Sequence, residues 1–256
     1  DIFVNADKES FICGVTKNSS DKEVAFIAKL SSTGVKSWQK SVESTAGLQN
    51  ARFERIFVDG DDIWAIGQNE PNSTNLNTYN PDIILVKYTQ SENGLDASVT
   101  YKKAYAGISG STRSDNITDI KKYTDTRSVI SGYTNTNSSN PYDAFLAILD
   151  STGNFSIKRK IASNNQSEKI TNIIVSGSNI YFVMEVAANT TDTNVDVAVG
   201  KATIKTNSID INWIKRVSNT LYSFIDTGIA IDEFNELYVT ATLRSKSTTS
   251  TKDSFW

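Results

Sequence analysis

The chain has 256 residues, 38% hydrophobic, 21% charged and 10% aromatic, enough apolar material for a packed core and too much for a disordered polymer. Its net charge of −3 and the lack of any basic run give nucleic-acid binding no electrostatic support, and no apolar stretch approaches the roughly 20 residues of a membrane helix. There is no His, which removes the usual general base at neutral pH and the commonest zinc ligand, and a single Cys, Cys13, which can form neither an internal disulfide nor a CxxC site.

In chain order the sequence reads as short apolar runs separated by turns. IFV (2–4), SFICGVT (10–16), AFIAKL (25–30) and VKSWQKSV (35–42) come first. The same four-part phrase returns as RIFV (55–58), IWAIGQ (63–68), IILVKY (83–88) and SVTYKKAY (98–105). It returns again as ITDIKKY (117–123), SVISGYT (128–134), AFLAIL (144–149) and FSIKRKI (155–161). A fourth copy holds ITNIIV (170–175), IYFVMEV (180–186), VAVGKA (197–202) and INWIKRV (211–217). A fifth begins with FIDTGIAI (224–231) and LYVTATL (237–243), and starts its third run at DSFW (253–256).

Each run is rich in Val, Ile, Phe, Tyr and Trp and is bounded by turn residues, which is the grammar of strands. No segment sustains a 3.6-residue period. One column of the second run holds Gly14, Gly67, Gly132, Met184 and Ala241, spaced by 53, 65, 52 and 57 residues. That period lies near the roughly 50 residues of kelch-type repeats. Many runs are apolar throughout, as strands buried on both faces are. Between the third and fourth runs, SSTG, QSENG and DSTG place Gly34, Gly94 and Gly153 where a left-handed residue ends a hairpin loop. The fourth copy has KTNS there, and Asn207 is the next best residue for that conformation.

The fold expected is therefore all-β: a β-propeller of four-stranded antiparallel blades, about four and a half of them in this chain. The whole chain, 1–256, reads as one propeller domain or part of one. Blade 1 runs over 1–42, blade 2 over 55–105, blade 3 over 117–161, blade 4 over 170–217, and a partial blade 5 over 224–256. Unpaired edges are disfavoured, so we expect the complete protein to carry six to eight blades.

DAFLAILDSTGN (143–154), preceded by ISGYT, is the best copy of a pattern written YVxGxT … DAFLAxLDxxGxxxW, with Val129 and Ile157 in place of its Tyr and Trp. It resembles the β-propeller repeats of many secreted and cell-surface proteins, those called SBBP repeats among them. The resemblance spans the chain in patches, and blade 4 lacks both the glycine column and the hairpin Gly. It implies a repeat architecture and an extracellular setting, and no activity, because propellers host many functions.

A residue that recurs in every blade serves the blade, so function belongs where blades differ. An acid precedes each third run: Glu23, Asp82, Asp143, Asp196 and Asp253. A ring of cation ligands is one reading; a turn carboxylate accepting backbone N–H bonds is the one expected. Trp38, Tyr101, Ile157 and Trp213 share a fourth-run column and are expected in the core rather than as a sugar-stacking ladder. Lys40, Lys102, Lys103, Lys158, Arg159, Lys215 and Arg216 beside them fit an exposed outer strand. Cys13 is expected buried and inert. DGDD (59–62) reads as a hairpin turn. SSTGVKSW lacks the acid and the aromatic that a sialidase Asp-box needs.

The fourth-to-first connections, ESTAGLQNARFE, AGISGSTRSDN, SNNQSEK and SNTLYS, differ most. In a propeller they share a rim with the second-to-third loops. Arg52, Arg113, Asp115, Lys169 and Tyr222 are the candidate binding residues there. No catalytic residue, metal site or cofactor is assigned. Seven sequons occur, at Asn18, Asn72, Asn116, Asn137, Asn154, Asn165 and Asn189. Asn18, Asn72, Asn137 and Asn189 fall one per blade in second-to-third loops, which singles them out for N-glycosylation.

Two functions fit. The first is a non-enzymatic extracellular or cell-surface propeller, a glycoprotein scaffold binding other proteins or glycans, its edges completed by further blades. The alternative is a carbohydrate-active enzyme, a glycoside hydrolase or lyase using rim carboxylates at the channel mouth. A small-ligand or cation sensor is a weaker third.

Overall fold

A computed structural model describes residues 1–42, 48–71, 82–105, 115–135, 142–163, 166–188, 194–246 and 252–253, of which 48–50, 69–71, 82, 101–105, 135 and 252–253 are described by backbone alone. Every regular element among them is a strand. The chain divides into two compact units, Asp1–Ile117 and Thr118–Trp256.

The first unit holds two sheets. One is β1 (Ile2–Val4), β2 (Ser10–Lys17), β3 (Glu23–Leu30) and β4 (Lys36–Val42); the other is β5 (Leu48–Asp59), β6 (Asp62–Pro71), β7 (Asp82–Gln90) and β8 (Ala97–Tyr105). The second unit holds β9 (Asp115–Thr124, which begins just ahead of the boundary), β10 (Arg127–Asn135), β11 (Tyr142–Asp150) and β12 (Phe155–Ile161). Its next sheet is β13 (Ser167–Ser176), β14 (Asn179–Ala187), β15 (Val195–Ile204) and β16 (Ile209–Val217). The last is three-stranded: β17 (Tyr222–Ile231), β18 (Leu237–Ser245) and β19 (Lys252–Asp253). In every sheet the strands follow in chain order, each beside the one before it, as one up-and-down meander per blade.

The continuously apolar runs are the strands buried on both faces. In β11, Ala144, Leu146 and Ile148 join a core with Ile170, Phe182 and Met184 of the next sheet. Phe145, Ala147 and Leu149, pointing the other way, are equally buried. Each such Leu, Ile, Phe or Met side chain contributes about 1.5–3 kcal/mol by leaving water. In the first unit, Phe11, Ile27 and Trp38 pack with Phe53, Ile63, Ile84 and Tyr88. Trp38 lies tilted on Phe11, ring centroids 6.4 Å apart. Ile157 is buried as well, so both belong to cores, whereas Trp213 is partly exposed and the Tyr101 side chain lies outside the description.

Bulges recur in register. The pairing shifts at Lys29/Leu30, Lys87/Tyr88, Ile148/Leu149 and Lys201/Ala202. The residue bulged out of the fourth strand is Ser37, Thr100, Ser156 or Asn212, always small and polar, immediately before the aromatic column. First strands bulge too, at Glu54, at Thr171 and at Asp226–Thr227. The hairpin glycines take the left-handed conformation expected, with φ of 80° at Gly34, 65° at Gly94 and 77° at Gly153. In DGDD, Asp59 pairs with Asp62 and Gly60 has φ of 59°, a two-residue hairpin. Asn207 departs from expectation: its φ is not positive. Ile204 pairs with Ile209 across residues 205–208, one residue shorter than the 31–35 loop between Leu30 and Lys36, so no left-handed residue is needed to close it.

Blades also begin earlier than the apolar runs. First strands start at Leu48, Asp115, Ser167 and Tyr222 rather than at 55, 117, 170 and 224. Their opening residues are polar or interspersed with polar ones, so no continuous apolar run marks them, yet backbone pairing continues past the bulge. Adjacent first strands are joined by carboxylates. Asp119 Oδ2 accepts the Ile173 N–H at 3.0 Å, and Asp1 Oδ2 accepts the Ile56 N–H at 3.1 Å. Ile56 and Ile173 lie on strands with a neighbour on one side only, where an outward backbone N–H needs an acceptor from outside its own sheet.

Candidate functional site

The polar opening halves of the first strands carry the residues on which blades differ. Arg52, Asp115, Lys169 and Tyr222 therefore lie in strands β5, β9, β13 and β17, not in connecting loops as their sequences indicate. Arg113 lies outside the described residues.

In the first unit Arg52 donates to Glu23 Oε2 at 2.9 Å. Glu54, at the β5 bulge, has its carboxyl pushed up by burial, with the charges of Arg55 and Arg52 and a bond to Gln68 pulling back. Gly67 pairs with Phe53 beside this bulge, and a Cβ there would stand 1.9 Å from the Arg52 carbonyl oxygen. At this position the glycine column reflects a close approach of backbone to backbone.

The second unit contains the richer cluster. Lys169 Nζ lies 5.0 Å from the ring centre of Tyr133 and 4.7 Å from that of Tyr142. Those rings meet edge to face at 4.9 Å. Lys169 pairs across the β13–β14 ladder with Glu185. Burial raises the Glu185 carboxyl above its ordinary range; the Lys169 charge lowers it, and the carboxylate of Asp226 raises it further. Asp226 sits at the β17 bulge, exposed, with φ of 51°. A non-glycine residue in that conformation carries strain, and here it aims a carboxylate from a bulged first strand. Tyr222, at the start of the same strand, is half-buried. Asp115 is buried. The structure thus brings Lys169 together with two tyrosines, Glu185 and Asp226. Sequence reasoning missed the last two because Glu185 sits inside the apolar run IYFVMEV and Asp226 inside FIDTGIAI. An acid inside an otherwise apolar run was the available signal.

The acid column is tied into ion pairs. Its described side chains are ion-paired: Glu23 with Arg52, Asp143 with Lys160, and Asp196 with Arg216 at 2.7 Å. The basic residues of the fourth strands are their partners in the last two cases. Among the described residues no group of three or more His, Cys, Asp or Glu is placed to hold a metal ion. Cys13 is buried and its thiol is pushed up by desolvation.

The sequons divide. Asn18 is exposed and its Oδ1 caps the turn N–H groups of Ser20 and Lys22. Asn154 is exposed in the β11–β12 hairpin. Asn116 corrects the expectation: it is 9% exposed inside β9 and accepts a bond from Gln68, so the fold leaves no room for a glycan. Asn72, Asn137, Asn165 and Asn189 lie outside the described residues.

No family model and no curated protein matches the chain. Solved structures do. An α-L-arabinofuranosidase from Lactobacillus brevis is similar with a TM-score of 0.54 and 6% identity, over 98% of this chain and 84% of that one. An exo-1,5-α-L-arabinanase from a bovine ruminal metagenomic library is similar with a TM-score of 0.50 and 8% identity, over 98% of this chain and 89% of that one. At such identities the likeness is one of fold. The chain is an all-β protein of the β-propeller class, built from four-stranded antiparallel blades.

Proposed function

We propose that this chain is a carbohydrate-active propeller whose chemistry lies in the second unit, at the Glu185–Asp226–Lys169 cluster. The observation that carries the reading is Glu185, a carboxyl whose proton affinity is raised by burial and by a neighbouring carboxylate. Two acids in unlike environments are what glycoside cleavage requires: one protonated to give a proton to the leaving oxygen, one ionised to activate water or attack. Glu185, half-buried, takes the first role, and the solvent-facing Asp226 the second. Lys169 holds the Tyr133 and Tyr142 rings as an amphipathic wall, suited to the C–H face of a sugar. The fold shared with two arabinoside-processing enzymes supports testing pentofuranosides first.

The experiment is hydrolysis of aryl α-L-arabinofuranoside, aryl β-D-xyloside and linear arabinan by the purified chain. Glu185→Gln and Asp226→Asn should each lower kcat by about 100-fold or more. Absence of turnover on the whole panel, or turnover untouched by both variants, rejects the enzyme.

The exposed sequon at Asn18, in a second-to-third loop, favours a second reading: an extracellular glycoprotein propeller that binds proteins or glycans without cleaving them. Intact-mass analysis of secreted protein would show hexose-bearing species, and saturable glycan binding without turnover would mark this reading as the correct one.

A further inference from the structure

One buried acid belongs to none of this. Glu168 is 2% exposed. Its Oε1 accepts the backbone N–H of Ser163 at 2.9 Å and the Ser163 hydroxyl. Its Oε2 is buried and has no partner. An unpaired carboxylate oxygen at such a site costs free energy unless something occupies it.

Beside it lies a cavity of about 200 Å³. The strand register places its lining on one face of the β13–β16 sheet. Glu168 pairs with Val186, Met184 with Ala198, and Ala198 with Arg216. Glu185, one residue out of step with Met184 and Val186, points to the opposite face, so the cavity is separate from the proposed catalytic cluster. Met184, Val186, Ala198 and Ile214 form an apolar wall, and Ile161 closes it from β12. Arg216 stands at the polar end, but its guanidinium is already committed to Asp196 at 2.7 and 2.8 Å and to Gln166 at 3.1 Å.

These features select a ligand. A pyranose or furanose brings several hydroxyls, and the cavity offers one unpartnered acceptor against a largely apolar wall. An anion meets a carboxylate. An apolar chain ending in a single strong donor fits: the chain lies along Met184 and Val186, and the head bonds Glu168 Oε2. From this geometry we infer that the groove beside Glu168 binds a primary alkylammonium group, carried either by a free amine or by a lysine side chain. A charge-assisted bond to a buried carboxylate oxygen is among the stronger single contacts available, and the volume admits one such chain.

Met184 is the only methionine in the sequence, so methyl-13C-methionine labelling yields one NMR signal, from the cavity wall itself. Titration with n-pentylammonium chloride should move that signal saturably, while 1-pentanol and D-xylose at equal concentration should not. Glu168→Gln should weaken the response by about 10-fold or more. Ile214→Trp, at an exposed wall position that tolerates change, should block it without touching the acid. Nα-acetyl-lysine methylamide distinguishes the sources. A response to it equal to that of pentylammonium assigns the groove to a lysine side chain, and a response to pentylammonium alone assigns it to a small amine. No shift with either amine overturns the inference. So does an equal response to pentanol or xylose, or an affinity unchanged in both variants.

Discussion

Asp119 offers the sharpest test of how neighbouring first strands are held. Its carboxylate is 3% exposed, and Oδ2 is the acceptor for the N–H of Ile173, itself 1% exposed. Oδ1 accepts from the Ile120 N–H and from Lys121 Nζ, both at 2.8 Å. Asp119→Ala strands the Ile173 N–H in a dry interface, a loss of about 1–3 kcal/mol. The Lys121 ion pair adds little, because that side chain is 46% exposed and solvent screens it; about 0–1 kcal/mol is its share. The expected destabilisation is about 1–4 kcal/mol, or a Tm lowered by about 2–16 °C for a chain of this size. Asp119→Asn keeps one acceptor for Ile173 but presents an NH2 to the donors on the other side, so about half that loss is expected. Urea denaturation measures both, and amide hydrogen exchange at Ile173 localises the effect, with faster exchange in the Ala variant alone. An Ala variant within about 0.5 kcal/mol of the parent, with Ile173 still protected, would refute the idea that this carboxylate joins the strands.

Other outcomes follow from the same contacts. Gly67→Ala drives a methyl into the Arg52 carbonyl and should cost about 3 kcal/mol or more in denaturant melts, whereas Gly14→Ala, 3.2 Å from the edge of the Phe26 ring, should cost much less. Burial raises the Glu54, Glu168 and Glu185 carboxyls above their ordinary value of 4.5, so the folded state holds their protons more tightly than the unfolded chain. Stability contributed by these groups is complete below about pH 4.5 and falls as pH rises through their folded values. Glu185→Gln should flatten that fall in a stability-versus-pH series, and a parallel curve would remove the buried-acid argument. Glycopeptide mapping of protein secreted from a eukaryotic host should find Asn116 bare while Asn18 is modified; a glycan on Asn116 would contradict its burial within β9.

The strand grammar was legible because runs that bury both faces, such as AFLAIL, are apolar throughout, and turn residues bound the more exposed runs. Hairpin glycines were legible because a left-handed residue closes these loops of five or six residues, and KTNS escaped that need by being shorter. The candidate site was legible only in part. Lys169 and Tyr222 lie where unlike connections pointed, but those segments continue the sheet, because backbone pairing extends beyond the apolar residues that announce it. Glu185 and Asp226 were hidden within strand words, since a bulge changes which way a side chain faces without altering composition.

By itself, then, the sequence determined the repeat and the run of strands within each blade, both set by local run length and turn chemistry. The tertiary structure alone decided which acids are ion-paired, which are stranded and which share a site. Those outcomes depend on contacts between residues some 20 to 60 positions apart: Asp119 with Ile173, Arg52 with Glu23, and Glu185 with Asp226. Burial and charge act through space, and a carboxylate's chemistry follows its neighbours there rather than its neighbours in the chain.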